Sequence, residues 1–486
     1  MSNFKQQTVS GIKWGMLNNL FVQFFNMGVS VVLARLLLPE HFGAVGMVMV
    51  LTGFATVFFE MGFGHALIQK EALQPEDSAT VFWFNLFMGI LLFGVLFFSA
   101  PFVASFYETP IVASLARVLA LLFIFNALNV VQLSLLKKAL NFKKIAFVNV
   151  LATFISGITG IVLALYGFKV WAIVAQLLSL SGLKTLLYFI YNDWRPSFIF
   201  KWQALKSMLG FSASIAGDTM LTYWARNLDN LLIGKFIGGD ALGLYTKAYS
   251  IMMLPIKNIS QVINSVLFPS FSSIKQDLTK LKTVHLRILS AILLVVLPIC
   301  CIIWLSAYEL VYILFGNNWL DMVPLVQILT FLGISQSMLK INGALYLALG
   351  KAQLALKLSF YFQLVTFSLI ILGLWLGGLY GLVIAYAFAS ILIFFPSFYF
   401  IGKQIQLTLL EFLKKAAPIL ISGCVMVIVT WLIDHYVIQF NQVVVSLLFK
   451  SSVASLSYVV MLMLFKVSIF YELIAIVRSQ IKRKKK

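Results

Sequence analysis

Apolar residues in this chain form long runs, separated by short polar segments, from Met16 to Phe465. A run of about twenty such residues crosses a bilayer as a helix, whereas barrel strands would alternate over about ten. Because a spanning segment must satisfy its own backbone hydrogen bonds, the pattern predicts an all-α polytopic membrane protein. We predict about fourteen spanning helices, at residues 15–37, 44–64, 80–104, 113–134, 145–166, 171–191, 207–234, 242–268, 284–306, 323–347, 358–376, 382–402, 416–436 and 443–465.

Composition supports a membrane protein without a separate soluble domain. Hydrophobic residues make up 61% of the 486 residues and charged residues 11%. Globular proteins have about 45–50% apolar and about 25% charged residues. The cysteines Cys300, Cys301 and Cys424 lie in apolar runs without His or carboxylate residues at ligand spacing, so we predict neither a metal site nor a disulfide framework, and no cofactor.

The distribution of Lys and Arg predicts the orientation, because positively charged short loops stay in the cytoplasm. Every second loop is basic, as in 137–144, 195–206, 275–287 and 403–415. The alternating loops, such as YETPIV and VIQFNQ, are nearly free of Lys and Arg, and the exceptions lie at span edges: Arg35, Lys169 and Lys235. Both termini are therefore expected in the cytoplasm. The net charge of +20 is spread over these loops and the tail IKRKKK, which indicates contact with inner-leaflet lipid rather than with nucleic acid.

A short motif occurs twice, two hundred residues apart. The end of the first span reads LARLLLPEHFGAV, and the end of the seventh reads IGKFIGGDALGLY, so that Gly43 corresponds to Gly243. A second echo relates VWAIVA to LYGLVI at the start of two even-numbered spans. Repeated halves with the substrate between them are common in transporters. We predict two pseudo-symmetric six-helix bundles around a central cavity, at 1–195 and 196–402, followed by two additional helices and a basic tail at 403–486.

Polar residues at helical spacing mark one face of three predicted spans. The first span carries Asn19, Gln23, Asn26 and Ser30; the seventh carries Ser214, Asp218, Thr222, Arg226 and Asn230, with Asp229 adjacent; the eighth carries Thr246, Tyr249, Lys257, Ser260 and Asn264. Such faces cannot all meet lipid, since each unsatisfied polar group there costs several kcal/mol. They either bond to one another as polar contacts between helices, or they line a hydrated cavity, which their length favours.

The charge of this expected cavity is positive. Its cations are Arg226, Lys247, Lys257 and Lys340, with Lys184 as a further candidate, and its anions are Glu60, Asp218 and Asp229. A cationic cavity in a low-dielectric surround attracts phosphate, pyrophosphate or carboxylate groups. We therefore predict an anionic substrate. Arg117 and Lys450 lie near the outer ends of their spans and are expected to extend to the interface.

Enzyme signatures are absent from the sequence. There is no GxxxxGK[ST] phosphate loop, no GxSxG and no HExxH. The four histidines lie near different loops, where we expect them to be solvated at the interface: His41, His65, His285 and His435. Gly373, Gly377 and Gly381 have GxxxG spacing, which predicts close helix packing.

Several strings resemble markers of the bacterial polysaccharide transporters: LARLLLPEHFGAVGM, FEMGFGHALIQK, NLLIGKFIGGDALGLYTKAYSIMMLP and VLFPSFSSIKQD. This family contains the O-antigen and exopolysaccharide flippases of the multidrug/oligosaccharidyl-lipid/polysaccharide exporter superfamily, and colanic-acid-type exporters look most similar. The resemblance implies alternating access and an undecaprenyl-pyrophosphate-linked oligosaccharide as cargo. It implies pyrophosphate or acidic-sugar contacts for Arg226 and Lys257, and coupling to H⁺ or Na⁺ through Asp218 and Glu60. A polysaccharide polymerase and chain-length machinery would be partners.

Two other functions remain open at this point. A drug antiporter of the same superfamily would favour an anionic cavity, against which the excess of cations argues. A membrane polymerase or ligase would be expected to carry catalytic Arg or His in a large outer loop. The longest predicted outer loop, 307–322, has no basic residue.

Overall fold

The computed structural model describes residues 2–59, 63–70, 72–262, 268–274, 276–436, 440 and 442–484, some helical residues by their backbone alone. Throughout these residues the regular structure is helical, without strands. The all-α prediction is therefore confirmed. The chain divides into two compact units, unit 1 at Met1–Gly243 and unit 2 at Leu244–Lys486. The domain boundaries at 195 and 402 stay a prediction.

Unit 1 consists of long helices joined by short turns. Its helices are α1 (Ser2–Leu36), α2 (Pro39–Phe59), α3 (Phe63–Gln69), α4 (Pro75–Tyr107), α5 (Ile111–Leu119), α6 (Leu121–Lys138), α7 (Phe142–Leu165), α8 (Val170–Tyr191) and α9 (Trp202–Phe236). Phe63 and Leu67 of α3 are fully buried with Phe82 of α4 and Val131 of α6. A second apolar cluster joins α6, α7 and α8, so adjacent helices share continuous cores.

Unit 2 begins at Leu244, within α10. Its helices are α10 (Gly239–Val262), α11 (Phe268–Ser273), α12 (Leu278–Leu305), α13 (Ala307–Phe315), a 3₁₀ helix (Asn317–Met322), α14 (Val323–Ala348), α15 (Ala352–Ile405), α16 (Leu409–Tyr436), α17 (Val443–Leu464) and α18 (Ser468–Lys484). The core of unit 2 includes Phe398 of α15 and Phe412 of α16, with ring centroids 5.1 Å apart.

Polar side chains define several helix starts. Asp277 accepts a hydrogen bond from the Lys280 N–H at 2.9 Å and caps α12. At α16 a capping box forms: Thr408 N donates to Glu411 Oε2 at 2.9 Å, and Glu411 N donates to Thr408 Oγ1 at 3.3 Å. These caps satisfy N–H groups that the helix itself leaves unpaired.

A tight reversal divides α15 into two arms, 352–376 and 379–405. Gly377 and Gly378 have non-helical torsions, and the φ of Gly378 is +57°. A Cβ on Gly373 would lie 2.4 Å from the Gly381 carbonyl oxygen, and one on Gly381 would lie 2.2 Å from that of Gly373. The two arms therefore touch backbone to backbone, as the GxxxG spacing predicts.

Within the described residues, ten helices are long and apolar enough to cross a membrane, and α15 counts once among them. The polar helices α9 and α10 are not among the ten. Each predicted span nevertheless overlaps a helix of the structure. The structure also contains helices outside the predicted spans, among them α13 in the expected outer loop and α18 after the last predicted span.

Candidate substrate site

In unit 1, the predicted polar face of α1 is largely accessible. Asn19 and Asn26 are exposed, and Gln23 is half-buried. The Asn18 amide donates to Asn19 Oδ1 at 3.3 Å, a contact between neighbours on one helix. These amides therefore remain able to bond to groups from outside α1.

On α9, Arg226 and Asp229 occupy different environments. Arg226 is exposed and has no ion-pair partner among the described residues. Asp229 is 6% exposed, and its Oδ1 accepts a hydrogen bond from the Asn230 N–H at 2.8 Å. A salt bridge between Arg226 and Asp229, the simplest local neutralisation, does not form. The side chains of Ser214, Asp218 and Thr222 lie outside the described part of the structure.

Tyr223, one turn before Arg226, joins α9 to α2. Its hydroxyl donates to the Val50 carbonyl oxygen at 2.6 Å. A Cβ on Gly53 would lie 2.5 Å from the same hydroxyl, so the absence of a side chain at Gly53 makes room for the tyrosine. Arg226 therefore projects from a helix whose position is set by contacts with α2.

In unit 2, the described candidates are half-buried. Lys247 and Tyr249 lie on α10, and Lys340 lies on α14. The Tyr249 ring lies 5.9 Å from that of Tyr245, centroid to centroid. The side chains of Lys257 and Ser260 are outside the described residues, as are Asn264 and, in unit 1, Glu60. The proposed grouping of these residues around one cavity stays a prediction.

Unit 1 also contains a buried polar cluster that the sequence analysis missed. Ser181 Oγ of α8 donates to Asn126 Oδ1 of α6 at 3.2 Å, and Thr185 Oγ1 contacts the Phe125 carbonyl oxygen at 3.3 Å. Lys184 is half-buried on the same helix and has no ion pair within the described part of the chain. Lys184 was a candidate from its charge alone, whereas Ser181 and Thr185 were missed because their partners on α6 are distant in the sequence.

Lys450 was expected to extend to the interface, and this expectation is wrong. Its Nζ lies 2.6 Å from Glu309 Oε1 of α13 and 2.9 Å from Asp434 Oδ2 of α16. The side chains of Lys450 and Glu309 are 13% and 7% exposed. Ser446 Oγ donates to Glu309 Oε1 at 2.9 Å. Sequence periodicity could not find this cluster, because its residues come from three separate helices.

Arg117 and His285 differ in their exposure to solvent. Arg117 is exposed and lies over the Phe97 ring, 5.7 Å from its centroid, in agreement with an interfacial position. His285 was expected to be solvated, but it is fully buried beside Phe271, with ring centroids 6.1 Å apart. Phe271 belongs to α11, so this contact comes from a short helix that the apolar runs did not predict.

At the predicted outer end of unit 1, Lys235 of α9 contacts the end of α4. Its Nζ lies 2.8 Å from Glu108 Oε1 and 5.4 Å from the centre of the Phe106 ring. The hydrogen bond from Lys235 holds the pKa of the exposed Glu108 carboxyl below its usual value of 4.5.

In unit 2, the three cysteines line an apolar cavity of about 350 Å³ between α12, α14 and α16. All three are free thiols. No group of His, Cys, Asp or Glu suited to a metal ion occurs in the described ranges.

Two relatives are similar to this chain over most of their length. The chain is 27% identical over 451 residues to the teichuronic acid biosynthesis protein TuaB of Bacillus subtilis, covering 90% of this chain and 92% of the relative. It is 24% identical over 407 residues to the lipopolysaccharide biosynthesis protein WzxC of Escherichia coli, covering 83% and 82%.

A solved structure of the lipid II flippase MurJ in an inward closed conformation has the same fold, with a TM-score of 0.76 and 14% sequence identity. The match covers 94% of this chain and all of that one. Residues 32–324, more than half of the chain, match the family described as polysaccharide biosynthesis protein. As its marker strings predict, this multi-pass membrane protein belongs to the polysaccharide biosynthesis protein family.

Proposed function

We propose that this chain is a flippase that moves an undecaprenyl-pyrophosphate-linked oligosaccharide from the inner to the outer leaflet of the cytoplasmic membrane. It is a transporter rather than an enzyme. The names of its relatives concern polysaccharide biosynthesis, and the fold is that of a lipid II flippase. Lipopolysaccharide O-antigen or exopolysaccharide repeat units are the cargo that this combination favours.

The exposed, unpaired Arg226 carries the proposal. A charged side chain at the centre of a spanning helix costs about 2.5–3.5 kcal/mol on insertion scales unless it meets water or a counter-ion. The nearby Asp229 is engaged elsewhere, and Arg226 has no ion pair among the described residues. Its guanidinium is thus available for a pyrophosphate, which it can bind through two parallel hydrogen bonds.

The proposed membrane topology has fourteen spans with both termini in the cytoplasm. The fourteen spans are the ten apolar helices together with α2, α9, α10 and the second arm of α15, which is counted here as a separate span. The polar character of α9 and α10 is what a helix that borders a hydrated cavity requires. Two six-helix bundles around that cavity, with α16 and α17 outside them, agree with the repeated motif.

Ion coupling completes the proposed cycle. Cargo transfer by alternating access needs a driving force, and a carboxylate facing the cavity can bind H⁺ or Na⁺. Asp229 is a buried carboxylate on the same helix as Arg226, and Asp218 and Glu60 are the other candidates. A polymerase and chain-length machinery would use the cargo in the outer leaflet.

The test is export by a deletion strain of the source bacterium that carries variants of the gene. We expect the deletion strain to accumulate inward-facing lipid-linked repeat units, and Arg226→Ala to leave them there although the protein inserts at the wild-type level. Arg117→Ala is the matched control, because Arg117 lies over an aromatic ring away from the polar face, and it should restore export. Full export by Arg226→Ala would refute the anionic site. Absence of lipid-linked units in the deletion strain would refute the cargo.

A further inference from the structure

The two copies of the repeated motif contact each other in a reciprocal way. A Cβ on Gly43 would lie 1.6 Å from the carbonyl oxygen of Gly239, and a Cβ on Gly243 would lie 2.0 Å from that of Pro39. The two-hundred-residue offset relates Gly43 to Gly243, and it also relates Pro39 to Gly239. The contact of Gly43 with Gly239 is thus repeated, with the two copies of the motif exchanged, by the contact of Gly243 with Pro39.

Such reciprocity is the mark of a local two-fold axis. In a two-fold contact, residue i of one copy meets residue j of the other, and j meets i. A chance resemblance between two loops would not place the corresponding residues in this exchanged arrangement. All four residues fall within unit 1, Met1–Gly243.

The contact continues along α2 and α9 below the motif. Tyr223 of α9 bonds to Val50 of α2, and Gly53 accommodates the tyrosine. The ten residues from Gly43 to Gly53 span about 15 Å of helix. This is about half of the roughly 30 Å hydrocarbon core, so the seam would close one half of the membrane depth.

We propose that the reciprocal glycine contact is an outer gate, in which Gly43 and Gly243 are positioning residues that allow two helix ends to meet by their backbones. The charge pattern of the loops places both motif copies on the outer side. This assignment rests on the proposed function. The gate is closed while cargo enters from the cytoplasmic side, and it opens to release cargo into the outer leaflet.

The geometry explains why glycine is needed at both positions. A methyl group on Gly43 or Gly243 would meet a backbone carbonyl, which cannot rotate away as a side chain can. The helix ends would have to move apart. Contacts between bare backbones are also individually weak, so the seam can separate and re-form during transport.

A reversible cross-link tests the gate. We would replace the native cysteines by Ser (C300S, C301S, C424S) and introduce Ala44→Cys with Gly239→Cys. A Cβ on Gly239 meets nothing closer than 3.7 Å, and the nearest atoms include the Ala44 backbone nitrogen, so the two introduced cysteines would be neighbours in the closed state. Oxidation should reduce export to the level of the deletion strain, and a reductant should restore it. Export by each single-cysteine variant should not depend on the oxidant.

Alanine variants give a second, independent measurement. With Ala44→Cys as a reporter, Gly43→Ala and Gly243→Ala should each increase its labelling by a membrane-impermeant thiol reagent added outside, and each should reduce export. Gly94→Ala is the matched control, because a Cβ there has no atom within 4 Å, and labelling should match the parent.

The outcomes separate the gate from the cargo. Failure of the cross-link to form, or full export with the cross-link in place, would overturn the gate while leaving the proposed function intact. Wild-type labelling in both Gly43→Ala and Gly243→Ala would also overturn it. If lipid-linked saccharides are not the cargo but both alanine variants still increase labelling of the Ala44→Cys reporter, the gate stands and the cargo assignment fails.

Discussion

Removing the ammonium group of Lys450 tests the charge cluster that joins α13, α16 and α17. Lys450→Met keeps the unbranched apolar stem and removes the charge. Glu309 then retains Ser446 as its hydrogen-bond donor, while its Oε2 has no partner in the described part of the structure. The side chains of Glu309 and Lys450 are 7% and 13% exposed, so water compensates little of the loss. Leaving one buried charge uncompensated costs about 3–5 kcal/mol, which is the expected loss of unfolding free energy.

The double variant Glu309→Gln, Lys450→Met separates the loss of an interaction from the cost of an unpaired charge. Replacing both members of a buried ion pair by uncharged residues of similar volume is often neutral or even stabilising by about 1–4 kcal/mol. We therefore expect the double variant to be more stable than Lys450→Met alone. Asp434→Asn is the matched control on the other side of the lysine. Asp434 is 35% exposed, and removal of its charge should cost below about 1 kcal/mol.

The measurement is the unfolding free energy of the purified protein in detergent micelles, compared as a double-mutant cycle. Coupled neighbours give interaction energies of about 0.5–3 kcal/mol, and the pair should lie near the upper end. Two results would refute the reasoning. One is a cost for Lys450→Met no larger than that for Asp434→Asn. The other is a double variant whose loss equals the sum of the two single losses.

Two further predictions concern the reversal in α15 and the end of α4. Gly381→Ala places a methyl group against the Gly373 carbonyl and should lower the unfolding free energy by about 1–3 kcal/mol. At Gly377 a Cβ has no atom within 4 Å, so Gly377→Ala should lower it less. Equal losses in the two variants would contradict this prediction. Glu108 has a lowered pKa in the folded protein, so its bond to Lys235 stabilises the fold above the usual pKa of 4.5 and is lost as the pH falls through the lowered value. Glu108→Gln should flatten this acid limb in thermal denaturation at a series of pH values, and an unchanged limb would contradict it.

Features that depend on neighbours along the chain were predictable from the sequence. Apolar runs predicted the helices, and the GxxxG spacing predicted close helix packing, which the contact between Gly373 and Gly381 provides. The two-hundred-residue echo singled out Gly43 and Gly243. In each case the sequence signal and the physical constraint concern the same few residues.

Features that depend on distant partners were not predictable. Lys450 has the position and length of a lysine that extends to the interface, and only the fold brings Glu309, 141 residues away, next to its ammonium group. His285 is buried and contacts Phe271 of α11, and no property of its neighbours in the sequence indicates this. The grouping of Arg226 with Lys247, Lys257 and Lys340 also depends on residues that are distant in the sequence. Measurements of export by variants of these residues address it directly.

Two copies of one local motif show how tertiary contacts override a sequence signal. Thr408 and Glu411 have the S/T-x-x-E spacing and form the capping box of α16. Ser306 and Glu309 have the same spacing at the start of α13, but Ser306 makes no capping bond and Glu309 turns to Lys450. A charge-assisted bond to an ammonium is stronger than a bond to a neutral N–H, and burial of that ammonium makes its loss costly. Glu309 therefore stabilises α13 less than its motif predicts, and it ties α13 to α17 instead.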